Sequence, residues 1–221
     1  MRTVFFVTSL FVFACCTAQF EKGVVMLSGS GNYWRSENKN EEASDTYVTS
    51  KEWATVRFST GLFVANRHLL GVLFQYQRTS YSETNEDETN VSFNNNNTEK
   101  TGAGILYRYY VPIKNGRFAF FLHTEGLYLV AKSVDGSSSF TAPKLFSGTG
   151  FTAAFRPGIA YRLNKKFGLE ASFGQFGYEV INYRSKDNAN EPGFSNAAGT
   201  AGFTLSSLMV GVTFYLGGKE D

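Results

Sequence analysis

Residues 105–125 read ILYRYYVPIKNGRFAFFLHTE and contain the pattern that decides the fold. Two runs of alternating side chains flank Asn115 and Gly116, which favour a tight β-hairpin turn because both residue types tolerate positive φ. A two-residue turn at this point places Arg108 opposite His123. One face of the hairpin is then uncharged and rich in aromatic residues, whereas the other mixes small side chains with a few ionised ones.

Alternation with a period of two recurs along the chain from residue 23 onward and predicts eight strands. They span residues 23–35, 54–65, 68–81, 101–113, 117–133, 150–163, 168–183 and 203–216. Most are longer than the ~5–6 residues of an average soluble strand. They suit the ~9–11 residues with which a tilted strand crosses a bilayer.

The links between these strands alternate strictly between short and long. Short links lie near residues 66–67, 114–116 and 164–166, and long polar links span residues 36–53, 82–100, 134–149 and 184–202. Outer-membrane barrels have short periplasmic turns and longer outer loops. We therefore predict an all-β protein, an eight-stranded antiparallel up-and-down transmembrane β-barrel whose apolar face meets lipid. A soluble barrel with that face turned inward is the alternative.

The composition agrees with a β-rich membrane protein. The 221 residues are 43% hydrophobic, 16% aromatic and 18% charged, below the roughly 25% charged share of soluble domains. The net charge is +2 without any basic block, which argues against a nucleic-acid partner. A mean hydropathy of -0.20 excludes a bundle of membrane helices.

The N-terminus predicts a secretory signal peptide over residues 1–18. It has a positive start, an apolar core at residues 4–13, and small residues before a cut after Ala18. Residues 19–221 are then predicted to form a single outer-membrane β-barrel domain. Both cysteines fall in the removed segment, so the mature chain has neither a disulfide nor a thiol nucleophile. An uncleaved anchor or first strand, and a lipoprotein signal using Cys15, are the alternatives.

The mixed face predicts a charge network inside the barrel. Glu125 lies on the same face as His123 and one diagonal step from Arg108, within reach of long side chains. A three-residue turn at residues 165–167 would set Arg162 opposite Glu170. Because an unpaired buried charge is costly, these groups must pair, and their role is structural. The predicted network comprises Arg108, His123, Glu125, Arg156, Arg162 and Glu170, with Arg57 also in the lumen.

The sequence offers no catalytic, cofactor-binding or metal-binding motif, and we predict none of these sites. The histidines are His68, at a short turn, and His123, whereas a metal site needs three or four ligands. A Ser/His/Glu site would need a hydroxyl beside the histidine, and Thr124 points to the opposite face. The Asn-rich run at residues 94–97 reads as a solvated loop tip rather than a cation site.

Three segments resemble the porin-like family of small outer-membrane β-barrel proteins of Bacteroidetes-type bacteria, related to the OmpA/OmpX type. They are STGLFV at residues 59–64, LYRYYVP at residues 106–112, and RPGIAY at residues 156–161 followed by Leu169 and Glu170. The end of the predicted signal peptide, Thr17-Ala18-Gln19, also fits. The resemblance covers essentially the whole mature chain and implies the barrel fold and the bacterial outer membrane.

From these features we expect a non-enzymatic integral outer-membrane protein with long surface loops, in an envelope-structural, adhesive or surface-binding role. A narrow porin-like channel for small solutes is the alternative, and a lipid-modifying outer-membrane enzyme is a weaker one. The expected partners are outer-membrane lipid, lipopolysaccharide and the barrel-assembly machinery. We expect a monomer without a cofactor.

Overall fold

The computed structural model describes residues 20–42, 45–86, 91–113, 117–137, 144–186, 193–202 and 207–217. Within these residues the chain is almost entirely antiparallel β-strand, which confirms the all-β prediction. None of the described residues belongs to a helix long and apolar enough to cross a membrane. The predicted signal peptide and the turn residues Asn115 and Gly116 lie outside the described residues.

The described residues form ten strands. They are β1 (Val25–Glu42), β2 (Asp45–Ala65), β3 (His68–Glu86), β4 (Val91–Ile113), β5 (Phe118–Ser137), β6 (Lys144–Arg162), β7 (Phe167–Ser172), β8 (Gln175–Ser185), β9 (Phe194–Gly202) and β10 (Met209–Leu216). The first six have 18 to 23 residues each, well above the soluble average of ~5–6.

The strand pairings form a circuit. From β1 to β7 each strand pairs with the next along the chain; β7 also pairs with β10, and β10 pairs with β1. Following the pairings therefore leads through eight strands back to β1. Beyond the end of β7, β6 pairs with β8, and β8 pairs with β9.

The prediction of eight strands is wrong: the described residues hold ten, because the predicted seventh strand is divided in two and β9 lies in a predicted link. Gly174, between β7 and β8, has φ 73°, a conformation that takes the chain out of a regular ladder. The β7–β8 side also carries one residue more than β6, since Gly158 faces Ser172 whereas Phe155 faces Phe176. The extra residue reverses the alternation, so even-numbered side chains are buried in β7 and odd-numbered ones in β8. Because β8 carries apolar residues on both faces, the sequence pattern does not reveal this change.

The last predicted strand and the long links also differ from the prediction. Within the described part of residues 203–216, strand begins only at Met209, and β9 occupies residues predicted as a link. Pairing of β1 with β2 continues to Glu42 opposite Asp45, and pairing of β3 with β4 to Glu86 opposite Val91. These segments are mostly polar in sequence, so they lack the apolar alternation by which strands are recognised.

Side chains of the circuit alternate between a buried and an exposed face. The exposed face carries large apolar side chains on each of the eight strands of the circuit, among them Phe58, Ile105 and Val210, which are 60 to 67% exposed. We call this surface the apolar belt. On β2 the exposed face from Val56 to Val64 carries no charged residue, because Arg57 points to the buried face.

Aromatic and aliphatic side chains fill the buried face toward the short turns. Phe20, just before β1, is 2% exposed and stacks on Tyr110 with ring centroids 4.5 Å apart. Phe63 and Tyr215 contact the same Phe20 ring. We call these four rings the aromatic plug. Farther from the turns, the buried face becomes polar and charged.

Candidate functional site

Glu125 on β5 is the centre of a buried ion network. Its carboxylate accepts two hydrogen bonds from Arg57 of β2, at 2.7 Å from Nη1 and 2.9 Å from Nη2. Arg156 of β6 donates a third from Nη2 at 3.2 Å. Glu125 is 4% exposed, and the two arginines are 6 and 7% exposed. A two-pronged arginine–carboxylate contact of this kind fixes both charge and orientation.

Glu170 on β7 is the second acceptor of the network. Arg108 on β4 donates from Nη1 to its Oε2 at 2.7 Å. The hydroxyls of Tyr110 and Ser28 each donate to the same carboxylate at 3.4 Å. Arg108 also packs over the ring of Phe121, 5.0 Å from the centroid.

His123 connects the two carboxylate clusters. Arg108 donates from Nε to His123 Nδ1 at 2.7 Å, so Nδ1 is an acceptor and carries no proton. The other ring nitrogen, Nε2, then carries the proton and donates it to Glu125 Oε2 at 2.7 Å. This hydrogen-bond pattern assigns the neutral imidazole with its proton on Nε2.

The connected network has an excess of positive charge. It contains the guanidinium groups of Arg57, Arg108 and Arg156 against the carboxylates of Glu125 and Glu170, with His123 neutral. Its net charge is therefore +1. The amide oxygen of Gln75 accepts an additional hydrogen bond from Arg57 Nη2.

Five of the six residues predicted for the charge network lie in this one connected cluster, and Arg162 does not. The prediction that Arg162 faces Glu170 is wrong, because Arg162 pairs with Gly168 and Glu170 with Ala160. The turn occupies residues 164–166, the predicted short link, whereas the predicted Arg162–Glu170 pairing required a turn at residues 165–167. The Asn164 side chain accepts hydrogen bonds from the backbone N–H groups of Lys166 and Phe167, at 2.8 and 2.9 Å, and so fixes that position.

Arg162 has different surroundings near the aromatic plug. Its Nη2 donates to the backbone oxygen of Lys165 at 3.0 Å. Its guanidinium lies 4.9 Å from the ring centroid of Tyr215 and 5.8 Å from that of Phe20. Aromatic faces thus replace the predicted carboxylate as its main environment.

Sequence reasoning missed several partners in the network. It placed Arg57 in the lumen without finding Glu125, and it overlooked Gln75, Tyr110 and Ser28. Alternation puts all of these side chains on the buried face, so the sequence could have identified them as candidate members of the network. Which of them meet depends on contacts between strands that are not neighbours, such as β2 and β5, and a one-dimensional pattern carries no such information.

Both ring nitrogens of His123 form hydrogen bonds, one with Arg108 and one with Glu125. Within the described part of the chain, neither nitrogen therefore contacts a hydroxyl group that could act as a nucleophile. Thr124, the next residue, lies on the exposed face. The described ranges hold no group of three or more His, Cys, Asp or Glu residues placed to bind a metal ion. What the cluster can do chemically is hold five strands together, β2 and β4 to β7, through its ion pairs and charged hydrogen bonds.

No protein-family model matches this chain, and no curated protein is significantly similar to it.

Proposed function

We propose that this chain is an integral β-barrel protein of a bacterial outer membrane, closed through the circuit of β1–β7 and β10. The observation that carries the proposal is the apolar belt, with exposed large apolar side chains on every strand of the circuit. Soluble monomers rarely expose apolar patches beyond a few hundred Å². In hydrocarbon the same belt is favourable, and a closed circuit satisfies the backbone groups that lipid cannot.

The distribution of charge supports the same proposal. A soluble barrel has its apolar residues inside and its charges outside. Here Arg57, Arg108, Glu125 and Glu170 are buried, whereas Phe58 and Ile105 are more than 60% exposed. This inverted polarity is the arrangement of a small transmembrane barrel.

The proposed role is non-enzymatic: envelope-structural, adhesive or surface-binding. The polar ladder of β1 and β2 continues beyond the belt, and Arg35, Glu37 and Lys39 on β1 are exposed there. In this proposal the polar hairpins face the outside of the cell and the short turns face the periplasm. Outer-membrane lipid, lipopolysaccharide and the barrel-assembly machinery are the proposed partners of a monomeric protein.

A narrow channel for small solutes is the second candidate. The cavity lined by Gln75, Gln77 and Arg57 favours it, because it offers a polar surface inside the circuit. The aromatic plug opposes it, because Phe20, Phe63, Tyr110 and Tyr215 are at most 2% exposed. A lipid-modifying enzyme is the weakest candidate, and an unchanged lipid A mass after expression would remove it.

Fractionation tests the membrane proposal directly. The full chain expressed in a Gram-negative host is expected in the outer-membrane fraction, with a gel mobility that changes on heating. A chain lacking residues 1–18 serves as the matched control and should remain in the cytoplasm. Recovery of the full chain from the soluble periplasm would contradict the proposal.

Deletion of the polar hairpins tests the surface-binding role. Removing the tips of the β1–β2 and β3–β4 hairpins should abolish binding of cells to a surface ligand while leaving heat-modifiable mobility intact. The matched control is an intact chain screened against the same ligands. A barrel whose hairpin-deleted form binds as well as the intact protein would place recognition elsewhere.

A further inference from the structure

A polar cavity lies beside the ion network, on the side away from the short turns. One part has a volume of about 190 Å³ and a second about 100 Å³. Both parts are lined by Trp53, Arg57, Gln75, Gln77, Arg156 and Gln175. A water molecule takes about 30 Å³ in the liquid, so the larger part has room for a small solute.

The cavity wall has cationic donors that are not fully used. Arg57 and Arg156 both line it, and they share the single carboxylate of Glu125. Each Nη atom of an arginine carries two N–H groups, and Arg57 Nη1 and Arg156 Nη2 each donate one of them to Glu125. The nearby ion pair of Lys100 with Glu179, at 2.5 Å, is balanced and leaves the excess positive charge in place.

We propose that this cavity binds a small organic monocarboxylate, with its carboxylate on Arg57 and Arg156 and its apolar part against Trp53 and Met209. Charge selects the class of ligand, because the network carries one unbalanced positive charge. The planar shape of the guanidinium favours a carboxylate among the anions, because the two groups can form paired hydrogen bonds. The indole of Trp53 and the thioether of Met209 supply the apolar wall.

This inference goes beyond the proposed function and does not rest on it. The cavity lies on the buried face of the strands, whether the apolar belt meets lipid or another surface. Evidence against membrane insertion would therefore not contradict the proposed binding site. A failure to bind the ligand would not contradict membrane insertion.

The tryptophans of the chain provide a reporter. The sequence has two tryptophans. Trp53 lies in the cavity wall, and Trp34 lies opposite it in the β1–β2 ladder. In a Trp34→Phe background the emission comes from Trp53 alone. Titration of the folded full-length mature protein with sodium butyrate should change that emission to saturation. Butyramide, which has the same shape without the charge, should cause no saturable change.

Two variants test the role of charge. Arg156→Gln removes a proposed donor, and Gln77→Glu adds a negative charge at a lining position with almost no change in shape. Each should weaken butyrate binding about tenfold or more, because a charge-assisted contact is lost or opposed. Arg78→Gln, which removes an exposed positive charge from β3, should leave binding unchanged.

The outcomes separate the possibilities. Equal responses to butyrate and butyramide, or wild-type affinity in a folded Gln77→Glu protein, would overturn the proposal. Folding of each variant is checked by circular dichroism and heat-modifiable mobility. If Arg156→Gln does not fold, the isosteric Gln77→Glu variant decides the matter by itself.

Discussion

At the scale of single residues, Glu125 is the most heavily engaged carboxylate of the ion network. Arg57, Arg156 and His123 all donate to it, and its side chain is almost wholly buried. Pairs in such surroundings are costly to break, because the remaining partner keeps a buried charge without compensation.

Glu125→Ala should therefore destabilise the protein by about 3–5 kcal/mol, since two arginines lose their shared acceptor. Urea unfolding followed by heat-modifiable gel mobility measures the loss. Glu37→Ala is the matched control, because Glu37 forms an exposed pair with Arg35 at 3.4 Å. An exposed pair contributes about 0–1 kcal/mol, so a similar loss in both variants would argue against a buried network.

A second residue-scale prediction concerns the apolar belt. Phe74→Arg should destabilise the protein by roughly 2–4 kcal/mol if the side chain sits near the membrane midplane. Phe74 is 57% exposed, so the same change on a water-facing surface would cost little. Unfolding of the reconstituted protein in lipid vesicles measures the difference.

Tyr33→Arg provides the control for the belt. Tyr33 is also aromatic and 63% exposed, but it is followed on the exposed face of β1 by the charged side chains of Arg35 and Glu37. We expect its replacement to be nearly neutral. Equal and small effects of Phe74→Arg and Tyr33→Arg would mean that both residues face water.

At the scale of elements, the break between β7 and β8 sets how the sheet closes. Gly174 has φ 73° and donates its backbone N–H to Ser207 Oγ at 2.9 Å. This contact ties the break to the residues just before β10. β6 thereby pairs with β7 on one side of the break and with β8 on the other.

Gly174→Val should destabilise the fold by roughly 1–2 kcal/mol, because a side chain makes this left-handed conformation unfavourable. Gly199→Ala is the control, since nothing lies within 4 Å of a Cβ added at Gly199 in β9. Thermal unfolding monitored by circular dichroism distinguishes the two. A Gly174→Val protein as stable as the wild type would show that the break tolerates another conformation.

At the scale of the whole molecule, the interior has two unlike parts. The aromatic plug closes the buried face toward the short turns, with Phe20 stacked on Tyr110. The ion network and the polar cavity occupy the part farther from those turns. A solute entering the cavity would therefore meet packed rings before it reached the short-turn end.

We expect the reconstituted protein to give no steady open channel in planar bilayers, because rings in contact leave no continuous water path. Single-channel recording at fixed voltage is the measurement. A Phe20→Ala, Tyr110→Ala double variant should raise the frequency of openings if it still folds. Steady ohmic conductance of the unaltered protein would instead favour the channel candidate.

The sequence by itself determined which face most side chains occupy and where some strands meet. Alternation is a local property, so it separated the buried Arg108, His123 and Glu125 from the exposed belt. A turn with strong residue preferences placed Arg108 opposite His123. The turn near Arg162 carried a weaker signal, and an error of one residue there moved the pairing partner by two.

Only the tertiary structure decided which charges meet and how the strands divide. Arg57 and Glu125 come from β2 and β5, which are not paired, so their contact depends on the curvature of the circuit. The extra residue at the β7–β8 break moves burial from even-numbered positions in β7 to odd-numbered positions in β8, and alternation alone does not reveal this because β8 is apolar on both faces. Local periodicity fixes the direction of a side chain, whereas the distance across the interior is set by all the strands together.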